Sequence, residues 1–384
     1  MKVLGLDNIS PGLSTGRACI GGMRTYLQDL VTHLPRVVPG ATIKLFTPKW
    51  SPPFDVPRDG SVEVVQCGDV PDSRPGRVWF EQAILPGLIR GHGVDAWLGT
   101  CNTLPLRMPC PAALIVQSLQ FFTRPDAFSS TRRWYLQTIV PASIRRADAV
   151  IVLSEASRRE VAGRFRIPDA AIRVIPHCLH DVFGGREPRP SDTDVVRRVL
   201  GESTPYIFYI SALYPYKNHG RLIEAFSRIA ARFPRHRLLI GGADTARWGR
   251  RELGEIAARF NVQAQVVLAG RISQDDLPSL YRQAELLAMP SLDETFGLPV
   301  LEAMAFGCPV LTSNISSMAE VAGDAAVLVD PLSVDDLAEG LTRLLASSEL
   351  RAALARRGLA QAASFSRENM MARFSDVLTD LRPY

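Results

Sequence analysis

The chain has 384 residues, of which 46% are hydrophobic and 22% charged, with a formal net charge of +5 and an isoelectric point near 9.0. This length fits two globular domains better than one, and the composition excludes an intrinsically disordered protein. No run of about 18 uncharged apolar residues occurs, which argues against a membrane-spanning helix.

In the first half of the chain, short apolar runs alternate with helical patterns. Strands are predicted at 3–6, 42–46, 62–65, 96–98, 112–116 and 149–153. Helices are predicted near 22–34, 77–90, 129–146 and 155–165. Because strands separated by helices form parallel sheets, residues 1–183 are predicted to be a Rossmann-like domain.

The second half repeats this alternation after a segment rich in glycine, proline and charge, Gly184 to Ser191, which is typical of a linker. Strands are predicted at 206–210, 238–240, 266–268, 286–289, 310–312 and 326–328. We therefore predict a linker at 184–203, a second Rossmann-like domain at 204–365, and a C-terminal helix at 366–384 that returns to the first domain. The fold class is α/β, with two doubly wound domains facing across a cleft.

The most informative motif covers residues 290–305 and contains two glutamates eight positions apart, Glu294 and Glu302. It is predicted to run from a strand end through a loop into a helix. Gly297 gives the turn conformational freedom, and Pro299 suits the first helical turn because its missing N–H is no loss there. Open α/β sheets bind ligands at this edge, and a helix start favours an anion. A ligand phosphate bound at this helix start would have a carboxylate on either side, and each carboxylate could accept hydrogen bonds from hydroxyl groups. This arrangement indicates a nucleotide-sugar site.

The alternative is that Glu294 belongs to a solvated loop and Glu302 to a helix surface. The neighbours of Glu302 are mostly apolar, however, and a carboxylate buried among them is costly unless it is hydrogen-bonded. This context favours a binding role.

Two further strand–helix junctions carry candidate binding residues. Gly21 and Gly22 precede the first predicted helix, where they would let the backbone approach a ligand, although a tight turn explains them equally well. Lys217 and Asn218 follow the strand at 206–210, and a cation at a helix N-terminus opposes the helix dipole. A bound diphosphate would remove that conflict; a solvent-facing lysine is the alternative.

Two patterns resemble metal sites but have simpler explanations. Asp192 and Asp194 form an Asp-x-Asp pattern in the predicted linker, where helix capping explains them. His177 and His180 have no third zinc ligand nearby. We therefore predict no metal site and no cofactor.

The basic charge indicates anionic partners, and without a nucleic-acid-binding motif no nucleic acid is expected. Arg132-Arg133-Trp134-Tyr135 and Arg145-Arg146 lie on one predicted helix. They predict peripheral contact with an anionic membrane surface, with a solvated helix face as the alternative. Six cysteines without Cys-x-x-Cys spacing, and a start that is typical of a strand rather than a signal peptide, predict a cytoplasmic protein. The peripheral membrane contact would then be at the inner face of the membrane.

Several motifs together match one protein family. The most specific is Glu294-x7-Glu302 within Glu-Thr-Phe-Gly-Leu-Pro-x-x-Glu-Ala-Met-Ala-x-Gly-x-Pro. Others are Tyr-Pro-Tyr-Lys217-Asn218, Leu268-Ala-Gly-Arg271 and Trp79-Phe-Glu-Gln82. Over essentially its whole length the chain resembles the retaining GT-B glycosyltransferases of glycosyltransferase family four (group 1), especially mannosyltransferase-like members that act in bacterial surface-polysaccharide assembly.

The resemblance implies a role for individual residues. Glu302 would hold the donor ribose diol, Glu294 would face the donor sugar hydroxyls, and Lys217 would neutralise the diphosphate, which makes Glu294 and Lys217 the catalytic candidates. The other donor-binding residues would be Gly21, Gly22, Asn218, Arg271, Ile272, Thr295, Phe296, Gly297 and Leu298. Gln117 and Gln120 would lie on the acceptor side.

The chain departs from the family pattern in three places. Residues 211–216 lack the arginine that many members carry shortly before the lysine. Gln117-Ser118 replaces His-Asp, and His177-Cys178 replaces Asn-Gly. Gln117 cannot act as an acid or base, so it could only orient a sugar.

The resemblance implies a retaining, metal-independent hexosyltransferase that uses a nucleotide-diphosphate sugar, with GDP-mannose first and UDP sugars second. The acceptor would be a carbohydrate, a lipid-linked saccharide or a small natural product, in polysaccharide, lipopolysaccharide or glycosylated natural-product biosynthesis. The alternatives are a catalytically degenerate nucleotide-sugar-binding protein and a GT-B epimerase or phosphorylase.

Overall fold

The computed structural model describes residues 1–9, 22–179, 192–245 and 248–381. Tertiary contacts divide the chain into two units, Met1–His180 with Arg367–Tyr384, and Asp181–Ser366. Of the predicted linker at 184–203, residues 184–191 lie outside the described ranges, and a helix begins at Asp192.

The described part of the first unit forms a seven-stranded parallel sheet in the order β3-β2-β1-β4-β5-β6-β7. Its strands are β1 (Val3–Asp7), β2 (Thr42–Thr47), β3 (Val62–Gln66), β4 (Ala96–Gly99), β5 (Ala112–Val116), β6 (Ala149–Val152) and β7 (Ile172–Val174). Its helices are α1 (Gly22–His33), α2 (Arg74–Trp79), α3 (Leu85–Gly91), α4 (Gln120–Thr123), α5 (Ser130–Arg146) and α6 (Glu155–Phe165), and a π-helical turn, Phe80–Ile84, joins α2 to α3.

In the described part of the second unit, six parallel strands lie in the order β10-β9-β8-β11-β12-β13. They are β8 (Tyr206–Ile210), β9 (Arg237–Gly241), β10 (Val266–Gly270), β11 (Leu286–Met289), β12 (Val310–Ser313) and β13 (Ala326–Val329). The helices are α7 (Asp192–Leu200), α8 (His219–Ile229), α9 (Arg250–Arg259), α10 (Leu277–Gln283), α11 (Leu298–Ala305), α12 (Ser316–Ala322), α13 (Val334–Ala346) and α14 (Ser348–Ser364).

The last helix, α15 (Arg367–Asp380), belongs to the first unit. The Ser375 hydroxyl donates to the carbonyl oxygen of Val37 at 3.2 Å, and Asp380 pairs with Arg173 of β7 at 3.4 Å. No helix within the described ranges is both long and apolar enough to cross a membrane.

The two doubly wound α/β units confirm the predicted fold class, and most predicted strands differ from the observed ones only at their ends. Two short elements, β7 and α4, were not predicted. The helix predicted at 77–90 begins earlier, at Arg74. The Ser73 hydroxyl caps it by accepting a hydrogen bond from the Gly76 N–H at 3.3 Å, and Pro75 suits its first turn.

The strand order of each sheet reverses direction at one point, between β1 and β4 in the first unit and between β8 and β11 in the second. Ligands of open α/β sheets bind outside the carboxyl ends of the strands at such a point. The loops after β8 and β11 contain Lys217 and Glu294 respectively. The chain topology therefore brings together two residues that are far apart in sequence.

Gly242 lets the loops after β8 and β9 meet, and it offers a test of this packing. Its φ is +151°, and an added Cβ would overlap the carbonyl oxygen of Ser211. We expect Gly242→Ala to lower the free energy of unfolding by about 2–4 kcal/mol, from strain and overpacking. The matched control is Gly254→Ala in α9, where a Cβ meets nothing within 4 Å and about 0.5–1 kcal/mol of stabilisation is expected. Urea unfolding measures both; equal stability of the two variants would contradict the packing.

Candidate functional site

Lys217 and Glu294 form an ion pair at the point where the second sheet reverses its strand order. Lys217 ends a 3-10 turn after β8, and Glu294 lies in the loop between β11 and α11. Lys217 Nζ is 2.5 Å from Glu294 Oε1, and the two side chains are only 13% and 10% exposed. The sequence predicted separate ligand groups for these residues and did not predict that they contact each other.

A buried hydroxyl network holds this ion pair. The Ser291 hydroxyl donates to Glu294 Oε1 at 3.1 Å and lies 3.1 Å from the Tyr209 hydroxyl. The Tyr209 hydroxyl in turn donates to the Lys217 carbonyl oxygen at 2.6 Å. Burial raises the pKa of Tyr209, which keeps its hydroxyl protonated. Since a buried ion pair is tolerated only when its remaining polar atoms are satisfied, Tyr209 and Ser291 belong to the site.

Two serines at the start of α12 fix the backbone of the Glu294 loop. The Ser316 hydroxyl donates to the Glu294 carbonyl oxygen at 2.5 Å and accepts from the Glu294 N–H at 3.1 Å. The Ser317 hydroxyl donates to the same carbonyl oxygen at 2.8 Å. Ser316 has a positive φ of 61°, a strained conformation that persists where the surroundings enforce it. Hydrogen bonds within the protein therefore hold the backbone of this loop without any ligand.

The turn from Thr295 to Leu298 leads into α11. Gly297 has a φ of +99°, and an added Cβ would lie 2.8 Å from Met318 Sδ, so both conformation and space require glycine. The first N–H groups of a helix have no partner within the helix, so this helix start presents donors suited to a phosphate. The position agrees with the predicted phosphate contacts of Phe296, Gly297 and Leu298, and the contacts themselves stay a prediction.

Glu302 lies one turn into α11 and is partly buried. Its Oε2 accepts a hydrogen bond from the Tyr281 hydroxyl of α10 at 2.7 Å. Burial raises the pKa of the Glu302 carboxyl from its ordinary 4.5 to about 7, and the bond from Tyr281 lowers it by a smaller amount. Tyr281 is an additional site residue that no motif identified, because it lies in an apolar helix and resembles a core residue.

Asn218 holds three loops together. It adopts a left-handed conformation with a φ of 65°, and its Nδ2 donates to the carbonyl oxygens of Pro290 at 3.0 Å and Pro331 at 2.7 Å. Its Oδ1 accepts from Arg221 at 3.0 Å. The structure thus gives Asn218 a positioning role, and a direct donor contact stays a prediction.

His219 packs behind Lys217. Its ring stacks on Tyr209 with centroids 4.5 Å apart, and Nε2 lies 3.1 Å from the Ser211 hydroxyl. Burial, and to a lesser extent the Lys217 charge, lower the pKa of His219 to about 3. It is therefore neutral, and it does not compete with Lys217 for an anion.

A cavity of about 370 Å³ opens at the carboxyl ends of β9 and β10 and includes Arg271. The other lining residues that bear charge are Asp244 and Arg250, which pair at 3.3 Å. Ile272 packs over Gly241 beside it. The base-binding role predicted for Arg271 and Ile272 stays a prediction.

Of the residues predicted for the first unit, Gly22, Gln117 and Gln120 lie within the described part of the chain. Gly22 begins α1, whereas Gly21 lies outside the described residues. Gln117 and Gln120 follow β5. The Gln117 N–H donates to Asn102 Oδ1 at 2.6 Å, and its side-chain Nε2 donates to the Thr100 carbonyl oxygen at 3.3 Å. Gln117 is thus held in place by the loop after β4.

The rejected metal patterns can be examined only in part. His177 is buried, and its ring packs edge-on against the Tyr26 ring with centroids 4.4 Å apart. Burial lowers the pKa of His177 to about 3. His180 and the side chain of Asp192 lie outside the described residues. Within the described part of the chain, no group of three His, Cys, Asp or Glu side chains is arranged to hold a metal ion.

The raised pKa of Glu302 predicts a pH-dependent stability. Folded Glu302 keeps its proton to about pH 7, whereas the unfolded chain releases it near 4.5, so unfolding releases a proton between these values and rising pH destabilises the fold. We expect Glu302→Gln to raise the free energy of unfolding by about 2 kcal/mol at about pH 8, and by much less at about pH 5. The value at the higher pH is reduced because solvent partly screens the Glu302 charge.

Thermal unfolding at the two pH values measures this difference. The exposed Glu339 of α13 provides the control, because Glu339→Gln should change stability equally little at both. A Glu302→Gln variant with the same pH dependence as wild type would show that the Glu302 carboxylate is already charged in the folded protein.

Comparison with known proteins places these residues in a family. Residues 20–183 match the Glycosyltransferase Family 4 model, and residues 192–361 match the model of Glycosyl transferases group 1. O-antigen chain mannosyltransferase B of Escherichia coli is 30% identical over 262 residues, which are 67% of this chain and 67% of that protein. Serotype-specific mannosyltransferase WbdA of Escherichia coli is 27% identical over 62% of this chain, but the match spans only 29% of its own length.

A solved structure shows the same fold over the whole chain. HepE of Anabaena, crystallised with UDP-glucose, superposes with a TM-score of 0.73 at 21% identity, over 99% of this chain and 100% of that one. At that identity the likeness shows the fold alone. The chain therefore belongs to the group 1 glycosyltransferases of glycosyltransferase family 4 and has the GT-B fold.

Proposed function

We propose that this protein is a retaining hexosyltransferase that moves a sugar from a nucleotide-diphosphate donor to an acceptor hydroxyl. The observation that carries the proposal is the buried Lys217–Glu294 pair at the sheet reversal, next to the start of α11. A sugar diphosphate requires three features of its binding site: a cation, an acceptor of hydroxyl hydrogen bonds and a set of helix N–H groups.

The donor is divided among the elements of the second unit. The diphosphate lies against Lys217 and the start of α11, the sugar hydroxyls donate to Glu294, and the ribose diol donates to Glu302. The base occupies the cavity beside Arg271. GDP-mannose is the first candidate, supported by the two mannosyltransferase relatives, and UDP-linked sugars are the second, supported by the complex of HepE with UDP-glucose.

The chemistry requires no nucleophile from the protein. The acceptor oxygen attacks the anomeric carbon on the face from which the diphosphate departs, so the configuration is retained. The acceptor proton passes to the departing phosphate oxygen as the sugar–phosphate bond breaks. Lys217 and the helix N–H groups stabilise the negative charge that develops on the diphosphate, which is the role that a metal ion fills in other transferases.

The ion pair makes the sugar and the diphosphate interdependent. Without donor, Glu294 neutralises Lys217. When a diphosphate pairs with Lys217 in place of Glu294, the Glu294 carboxylate loses its cation. It would then be a buried charge without an opposite charge nearby. Sugar hydroxyls that donate to Glu294 relieve this penalty, so the site prefers a sugar diphosphate over a nucleoside diphosphate.

The acceptor is a saccharide, carried on a lipid or free, or a small natural product. Because the name of one relative refers to the O-antigen chain, we place the reaction in surface-polysaccharide or lipopolysaccharide biosynthesis. Nucleotide sugars are cytoplasmic metabolites, so we place the enzyme in the cytoplasm, at the inner face of the membrane. No metal or cofactor takes part in the proposed reaction.

Binding measurements on two variants test the role of the ion pair. We expect Glu294→Gln to bind GDP about tenfold more tightly, because a buried negative charge beside the diphosphate is removed, and to lose its preference for GDP-mannose over GDP. We expect Lys217→Met to weaken GDP about 100-fold and to leave guanosine unchanged. Calorimetry measures all three ligands.

Lys44 provides the matched control. It forms a partly buried ion pair with Glu63 in the first unit, at 3.4 Å, so Lys44→Met removes a similar cation away from the site. Its GDP affinity should equal that of wild type. A Lys217→Met variant that weakens GDP and guanosine by the same factor would make Lys217 a structural residue.

A transfer assay tests the function itself. Purified protein is incubated with GDP-mannose or UDP-glucose and a panel of saccharide acceptors, and NMR of the product reports the anomeric configuration. We expect a product with the configuration of the donor, formed at the same rate in EDTA. An inverted product would refute retention, and loss of activity in EDTA would refute metal independence.

Other outcomes of this assay identify the alternative functions. Donor binding without turnover would indicate a degenerate binding protein. Consumption of the donor only in the presence of phosphate would indicate a phosphorylase, and an altered sugar on the nucleotide would indicate an epimerase.

A further inference from the structure

The Lys217 ammonium contacts an aromatic ring as well as Glu294. Its Nζ lies 5.3 Å from the centroid of the Tyr216 ring. The negative face of a ring attracts a lysine ammonium within about 6 Å of the centroid, and this cation–π contact is stronger where water is excluded. The Lys217 side chain is largely buried. The ammonium thus has a charged partner in Glu294 and an uncharged partner in Tyr216.

The neighbours of Tyr216 fix its ring in place. The ring stacks almost parallel on the Tyr214 ring, with centroids 5.3 Å apart and an interplanar angle of 13°. The Tyr216 carbonyl oxygen accepts a hydrogen bond from the Leu292 N–H at 2.8 Å, which joins this turn to the loop of Glu294. The Lys217 N–H donates to the Tyr214 carbonyl oxygen at 3.0 Å and closes the turn. Stacking and backbone hydrogen bonds therefore hold the ring without any ligand.

Lysine is rare in this chain. Of its 44 basic residues only four are lysines, at positions 2, 44, 49 and 217, so Lys217 is the only lysine in residues 50–384. An arginine has a planar guanidinium that forms two parallel hydrogen bonds, whereas a lysine is a compact charge on a flexible four-carbon chain. A lysine in a binding site therefore needs other groups to fix its position. Residues 211–216 contain no arginine that could share the task, but they contain Tyr214 and Tyr216.

The ring matters most when Lys217 separates from Glu294. In the free protein the carboxylate holds the ammonium directly. In the donor complex proposed above, a diphosphate pairs with Lys217 and sugar hydroxyls donate to Glu294. A lysine side chain released from its carboxylate gains rotamer freedom, and a ligand that restricts it again loses binding free energy. A ring that holds the ammonium in both states removes part of this loss.

We propose that Tyr216 is a positioning residue for Lys217, whose ammonium its ring retains in the site when a diphosphate displaces Glu294. The inference rests on the proposed function and adds to it a residue that acts on the diphosphate through the lysine. Burial, and to a lesser extent the Glu294 charge, raise the pKa of Tyr216, so its hydroxyl stays protonated and its ring uncharged. An uncharged ring attracts the ammonium without neutralising it, so the full charge of Lys217 remains for the diphosphate.

NMR of the lysine side chains tests the contact in the full chain. Protein labelled with ¹³C-lysine gives side-chain signals from four residues, and Lys217→Met identifies those of Lys217. Because the face of an aromatic ring shifts nearby protons upfield, we expect upfield Lys217 signals in wild type and in Tyr216→Phe, and unshifted ones in Tyr216→Leu. The shift should persist at saturating GDP. Unshifted signals in free wild type, or loss of the shift when GDP binds, would overturn the proposal.

Calorimetry with GDP tests whether the ring acts through the lysine. We expect Tyr216→Leu to weaken GDP about fivefold, and Tyr216→Phe, which keeps the ring face, to bind within about twofold of wild type. In the Lys217→Met background, Tyr216→Leu should leave GDP affinity unchanged, because no ammonium remains to be held. Equal weakening in both backgrounds would contradict the proposal, since the ring would then act on the ligand or on the fold.

Phe260→Leu is the matched control within the same unit. The guanidinium of Arg259 lies over the Phe260 ring, with Cζ 5.6 Å from the centroid, so this change also removes a cation–π contact between sequence neighbours. Its GDP affinity should equal that of wild type. A loss as large as that of Tyr216→Leu would count against the proposal. Wild type that shows the shifted lysine signals but binds no GDP would refute the proposed donor site and leave the Tyr216–Lys217 contact established, so the two failures are distinguishable.

Discussion

The buried ion pair between Lys217 and Glu294 is the interaction on which the proposed donor site depends. Its two charged groups are nearly excluded from water. The Tyr209 hydroxyl donates to the Lys217 carbonyl oxygen, and the Ser291 hydroxyl donates to Glu294 Oε1. Removing one partner of such a pair typically costs about 3–5 kcal/mol, because the other remains charged and buried. In the proposed complex, the phosphate and hydroxyl groups of the ligand replace the internal partners of the pair, so one interaction would link stability to recognition.

In Glu302, a single residue links the stability of the free protein to ligand recognition. A carboxyl with a pKa near 7 is held, in the absence of ligand, where its charged form is unfavourable. In the proposed complex, ribose hydroxyls stabilise that charged form, so binding would recover the energy lost in the free protein. Tyr281 limits the loss, because its hydroxyl donates to the carboxylate. Sites that store unfavourable energy in this way are expected where function requires it.

The two units carry different surfaces on similar folds. The second unit contains a polar candidate site built from loops that Asn218, Ser316 and Ser317 connect by hydrogen bonds. The first unit instead exposes a basic and aromatic face on α2 and α5. A parallel sheet with helices on both sides permits this, since loops at its carboxyl edge and outer helix faces vary without disturbing the core.

The sequence by itself determined the alternation of strands and helices, the two-unit organisation and the position of Glu294 and Glu302, because apolar runs, turn residues and a long motif are local signals. It did not reveal that Lys217 pairs with Glu294, 77 positions away, or that Tyr209 and Tyr281 donate to the site. Those contacts depend on the strand order, which places β8 beside β11. Likewise, the arginines of α5 were visible in the sequence, but the groove that Arg132 and Trp134 line together with residues of α2 was not. Residues on different elements become neighbours only when the chain packs, so tertiary structure alone decided which of them act together.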